Sequence, residues 1–232
     1  MAQAHNKLEA LNQLLDKADV WVGNQQEQAY PAVTSGFTEL DAELPGGGWP
    51  RGALTEIMTD QEGIGELQLL MPALARMSQE GRWVALIAPP YVPYAPALAI
   101  HGIDLSHVLV IRPKTNQQDS LWAVEQALRA GTCGAVISWS RDISDKQLRR
   151  LQLAAEEGDA MGVLFRPVQC AKQSSPAALR LQLKSLYSHL SVHILKRRGG
   201  WPTGPLAINL KAAMPDVSRS LYAGASPAVK LM

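Results

Sequence analysis

The sequence predicts an α/β protein with a mostly parallel central sheet flanked by helices and a C-terminal antiparallel hairpin. Three observations carry that class. From Thr34 to about Val168, strand-like and helix-like segments alternate along the chain. The strand-like segments are near-continuous apolar runs, as expected of parallel strands covered on both faces. After Cys170 the pattern switches to a period of two, the signature of antiparallel strands.

Taken in order, residues 5–20 (HNKLEALNQLLDKADV) set Leu8, Leu11 and Leu15 on one helical face, with Trp21 just beyond. A helix this short is marginal alone, so its apolar stripe should dock on its own core or on another subunit. A linker, 23–36, follows, which divides the chain into an N-terminal helix and linker (1–33), a core (34–211) and a flexible tail (212–232). Strands are expected at 53–58, 83–88, 107–112, 134–139 and 161–166. Helices are expected around 65–79, over 116–131 with Leu121, Val124 and Leu128 on one side, and from a capping box at Ser144 and Gln147. The alternating strands are 179–183, 190–195 and 206–210, with 196–205 as the turn between the last two. The tail, rich in Ala, Ser and Pro, has no periodicity.

Composition excludes several classes. A formal net charge of +1 does not announce a nucleic-acid binder. The charge is segregated, however: from Cys170 onward nine bases face one acid, a net +8, leaving the rest at −7. That asymmetry fits either an acidic partner or a solvated surface. Cys133 and Cys170, far apart in apolar settings, are expected to be buried and reduced. With no signal-like start and no apolar run near 18 residues, a soluble cytoplasmic protein without membrane contact is expected.

The stretch TEIMTDQEGIGELQLLMPALA (55–75) has the layout of a phosphate-binding loop. Such a loop needs a first Gly, then Gly-Lys-Ser/Thr, so that N–H groups cradle phosphate, lysine neutralises it and the hydroxyl holds Mg²⁺. Aligned on Gly65, this chain places Asp60 at the first Gly, Glu66 at the lysine and Leu67 at the hydroxyl, with Gly63 and Glu62 between. A unit charge about 6 Å from another at an effective dielectric near 20 is worth roughly 3 kcal/mol, and Glu66 reverses its sign. The strand 134–139 ends in Ser138 and Trp139, so it lacks the carboxylate a metal would need, and Asp142 comes late. No cofactor and no ATPase activity are expected.

Upstream, TSGFTELDAELPGGGWPRGALTEI (34–57) resembles the entry to a RecA-like ATPase core, and HILKRRGG (193–200) resembles the basic hairpin of such proteins. Together with LEALNQLLDKADVWVG, GIGELQLLMPALA and LKRRGGWPTGPL, these make the chain similar to the ImuA family, RecA-like accessory proteins of bacterial translesion DNA synthesis. The related SulA cell-division inhibitors resemble only the middle: 81–90, 124–139 and 156–168. The ImuA resemblance implies a RecA-like core, an SOS-induced role in error-prone synthesis, and contacts with RecA, the polymerase-like ImuB and the mutagenic polymerase DnaE2. It makes Leu8, Leu11, Leu15, Lys196, Arg197 and Arg198 the candidate partner-binding residues. The alternative is a SulA-type inhibitor that binds the tubulin-like septal ring protein FtsZ during the SOS response. An ATP-dependent recombinase is the least favoured reading. The entry and hairpin favour ImuA, because the shorter inhibitor is not expected to carry them.

The remaining candidates are weaker. Residues 169–180 match the place of a recombinase DNA loop but offer only Lys172 and Arg180 and no aromatic, which allows a weak DNA contact at most. Lys146, Arg149 and Arg150 read as a solvated helix face. His189 and His193 fall on a strand without a third ligand. Ser138, with His101 and His107, lacks a nucleophile-elbow context.

Overall fold

The computed structural model describes residues 31–113, 117–187, 189–201, 203–213 and 230–231. The helix predicted over 5–20, with Leu8, Leu11, Leu15 and Trp21, lies outside the described residues. So does most of the tail. The chain enters through a short antiparallel ladder of β1 (Ala32–Val33) on β2 (Trp49–Pro50), with the helical turn α1 (Thr38–Asp41) between them. The glycine run is required here. A Cβ on Gly48 would stand 2.2 Å from the Val33 carbonyl oxygen, and Gly46 and Gly47 both take positive φ.

There follow β3 (Ala53–Thr59), α2 (Met71–Gln79), β4 (Trp83–Ile87), α3 (Ala95–Ile100), β5 (Val108–Ile111), α4 (Gln117–Arg129), β6 (Cys133–Trp139), α5 (Asp145–Gly158) and β7 (Met161–Pro167). The chain then turns through β8 (Leu179–Leu186), β9 (His189–Arg197) and β10 (Thr203–Ile208), and β11 (Lys230–Leu231) pairs with β5. The large sheet has the order β10-β9-β8-β3-β7-β6-β4-β5-β11. Pairings from β8 to β11 are parallel, whereas β8–β9 and β9–β10 are antiparallel. The architecture is thus mixed α/β, with a mostly parallel sheet and an antiparallel meander.

Alternate side chains of the central strands feed two cores. Ile57, Leu86, Ile137 and Val163 pack with α2, Leu98 of α3 and the entry residues Phe37, Leu40 and Trp49. Leu54, Ala85, Val136 and Leu164 pack with Leu121, Val124 and Leu128 of α4 and with Leu148 and Leu151 of α5. The α5 start is the predicted capping box, with Ser144 Oγ accepting from Gln147 N–H and the Gln147 side chain returning to the Ser144 N–H. Helices α4 and α5 are stitched by Arg150–Glu125 at 2.5 Å and Arg129–Glu157 at 2.8 Å, so Arg150 is more than a solvated cation.

Glu56, fully buried in β3, accepts from Arg166 Nη1 at 2.5 Å and from Arg180 Nε at 2.7 Å. Register explains the convergence, since Glu56 faces Arg180 on β8 while Arg166 on β7 faces Met58, two residues along the same face. Arg180 also donates to the carbonyls of Cys170 and Gln173, which pins the crossover before β8.

Several expectations need revision. The helix expected from 65 starts only at Met71, after a 3-10 turn Gln68–Leu70, because Gly65 sits at φ +101 and Pro72 must lie in a first turn. Period-two alternation suggested β8 as purely antiparallel, yet it pairs parallel with β3 on its other side. Cys170 lies in the 3-10 segment Val168–Lys172 rather than in a strand, although both cysteines are free and buried. Within the predicted tail, Ala212 belongs to a 3-10 turn, Leu210–Ala213, and Lys230–Leu231 pair with the sheet edge. No helix among the described residues is long and apolar enough to cross a membrane.

Candidate functional site

The parallel strands β3, β4, β6 and β7 present their carboxyl ends to one crevice, the usual ligand position in such sheets. A hollow of about 420 Å³ there is lined by Thr59, Asp60, Glu62, Glu66, Trp139 and Arg166, among others. The Trp139 and Phe165 rings meet at 5.1 Å on its wall. A second hollow of about 340 Å³ adjoins it, and the two share Glu62, Glu66, Pro90 and Trp139.

The loop closes on itself. Glu66 is 7% exposed, and its Oε1 accepts the Gly63 N–H at 2.9 Å. A side-chain carboxylate thus takes up a backbone donor that a phosphate would use, from the position where the lysine would stand. Gly65 is covered from the far side, since a Cβ there would lie 2.4 Å from Leu210 Cδ1. Leu67 turns inward against the core. Asp60 and Glu62 are exposed, and Arg141 reaches Glu62 at 3.4 Å. Among the described residues, no group of three His, Cys, Asp or Glu could hold a metal ion. Residue identity shows that this loop has no lysine and no hydroxyl at the aligned positions, but not the capping by Glu66, which depends on backbone geometry.

The other candidates lie elsewhere. Lys196 donates to the Ser175 carbonyl at 2.8 Å, and its burial, then the nearby Arg180, lower its pKa. Arg197 pairs with Glu43 Oε2 at 3.0 Å and also donates to the Glu43 carbonyl. Arg198 is exposed. Two of the three hairpin cations therefore hold the chain's own entry and crossover segments. Arg180, a candidate for DNA phosphate, is buried on Glu56, so only Lys172 of that pair stays on the surface. His107 pairs with Asp104 at 2.8 Å and Ser138 with Ser140 at 3.0 Å, so among the described residues Ser138 is not hydrogen-bonded to a histidine.

Sequence reasoning missed two features beside the crevice. One is α3, which Pro96 in its first turn and the apolar Leu98 could have signalled. The other is the loop 88–94, which carries Tyr91, Val92 and Tyr94 at 73%, 63% and 72% exposure.

Fold and crevice together define a mixed, mostly parallel α/β protein in which the loop after β3 is closed by its own glutamate. A family model described as "Cell division inhibitor SulA" matches residues 52–162. Cell division inhibitor SulA of Cronobacter sakazakii (strain ATCC BAA-894) is 35% identical over 121 residues, covering 51% of this chain and 71% of that protein. The same-named protein of Yersinia pestis (strain Pestoides F) is 28% identical over 138 residues, covering 60% and 82%. A crystal structure of SulA from Pseudomonas aeruginosa aligns over 49% of this chain and 97% of its own at 29% identity, with a TM-score of 0.41. The chain belongs to the SulA family.

This overturns the ImuA assignment, and with it the expected translesion role and the partners RecA, ImuB and DnaE2. The features that favoured ImuA were the entry and the hairpin. Physically they are sheet-building parts: Gly48 closes the entry onto Val33, and Arg197 ties β9 back to Glu43.

Proposed function

We propose that this protein is an SOS-linked cell-division inhibitor that binds the tubulin-like septal ring protein FtsZ in the cytoplasm and acts by occupancy, not by turnover. The observation that carries the reading is the 35% identity to a cell division inhibitor over 71% of that inhibitor's length. The crevice supports the absence of turnover, because Glu66 takes the Gly63 N–H and Leu67 offers no hydroxyl for Mg²⁺. The order of strands around β3, with a parallel half on one side and an antiparallel meander on the other, supports a RecA-type core adapted to binding alone.

Purified protein mixed with FtsZ and GTP should suppress sedimentable polymer and GTP hydrolysis in proportion to its concentration, saturating near equimolar. Unchanged polymer at a several-fold excess would refute the proposal. A fluorescent ATP analogue with Mg²⁺ should show no saturable binding at micromolar concentration, and saturation lost on changing Gly65 would reverse the non-catalytic reading.

A further inference from the structure

We infer that the paired hollows receive a lysine or arginine side chain of the partner protein, with an apolar neighbour of that side chain seated in the adjoining groove. The inference rests on the inhibitor reading above and assigns it a surface.

The charge balance is the first support. Asp60, Glu62 and Glu66 line the larger hollow, whereas Arg141 is 77% exposed and, among the described residues, pairs with Glu62 alone, at 3.4 Å. Arg166, the other cation on the wall, is bound to Glu56. Among the described residues neither Asp60 nor Glu66 forms an ion pair. The second support is a buried acceptor left over. Glu66 uses Oε1 on the Gly63 N–H, while its Oε2 is buried with no hydrogen-bond partner, and Glu66 stands on the wall between the hollows. A carboxylate oxygen in that position is costly unless a donor reaches it, and an ammonium or guanidinium supplies both proton and charge.

The third support fixes the kind of occupant. The smaller hollow is lined by Leu67, Met71, Pro89, Pro93 and Trp139, with Tyr91 and Val92 at its rim. Ala88, at φ +51, turns the chain out of β4 into this proline-rich loop, a strained conformation of the kind found where a loop is held for contact. Three prolines in 88–93 limit the freedom the loop loses on binding. A small free cation would leave the aromatic and proline surface uncovered. A protein segment with a cation beside an apolar residue fills both hollows at once.

The test compares FtsZ binding by the intact protein with that of Glu66→Gln and of Tyr91→Ser/Tyr94→Ser. Each variant's thermal unfolding is measured to show that it folds. The glutamine retains an acceptor for the Gly63 N–H and withdraws the charge together with the second acceptor oxygen. Glu66→Gln should weaken binding by about thirtyfold and flatten its salt dependence, and the tyrosine pair should weaken it without changing the salt slope. Full-strength binding by both folded variants overturns the assigned surface and leaves the inhibitor reading intact. No binding by the unaltered protein overturns the partner itself, and this occupant with it. Displacement of FtsZ by millimolar arginine amide alone, with the tyrosine variant unaffected, overturns the protein-segment assignment in favour of a small cation.

Discussion

Replacing Glu56 by glutamine tests the account of the sheet's centre. The three side chains involved are 0% exposed at Glu56, 2% at Arg166 and 8% at Arg180. The substitution preserves volume but turns one acceptor oxygen into an amide that points N–H at a guanidinium. Two buried cations then face each other with no counter-ion. Removing one partner of a buried ion pair costs about 3–5 kcal/mol. For a chain of this size each kcal/mol moves the melting temperature by about 2–4 °C, so Tm should fall by roughly 6–20 °C. Circular dichroism melts read this directly. A companion variant, Glu56→Leu/Arg166→Met/Arg180→Met, should recover part of the loss, because well-packed apolar residues can replace a buried ionic network. Recovery is incomplete because Arg180 also holds the Cys170 and Gln173 carbonyls. A Tm within about 2 °C of the original in Glu56→Gln, or a triple variant no better than the single one, would refute the argument.

Two further outcomes are expected. Gly158→Ala should destabilise by about 1–3 kcal/mol despite alanine's better helix propensity, since its Cβ would stand 1.9 Å from the Leu128 carbonyl and force α4 and α5 apart. Urea midpoints check this, and an unchanged midpoint contradicts the close approach. Burial lowers the His101 imidazole below its ordinary 6.5, so across that interval the unfolded chain binds more protons and stability rises with pH up to about 6.5, then levels. His101→Gln should flatten the slope on the acid side of that value. A slope that survives the substitution assigns it to another group.

The apolar runs were legible because a doubly covered strand has few alternatives, and the capping box at Ser144 because its partners are three residues apart. The role of Glu56 was not. Its cations lie 110 and 124 residues downstream, and in sequence it passes for part of an entry motif. The second partner of β8 was hidden for a related reason: alternation describes one face of a strand, not the direction of its neighbours. At the crevice, the absence of a lysine and a hydroxyl could be read from residue identity. The closure by Glu66 could not, because it needs the positive φ of Gly63 and Gly65 to bring a side chain onto its own turn. Lys196 and Arg197, singled out by charge, also hold the Ser175 carbonyl and Glu43, contacts that residue identity does not show.

The central strand has a further consequence, for biosynthesis. Strand β3 is made early, yet both strands that flank it, β7 and β8, are made more than a hundred residues later. Strands β4, β5 and β6 can associate while translation continues, but β3 must wait, with its apolar run uncovered and its carboxylate hydrated, until β7 and β8 have left the ribosome. Such long-range closure slows folding and lengthens exposure to chaperones and proteases. Cellular levels of this protein should therefore be set as much by how fast β7 and β8 arrive as by how stable the finished sheet is.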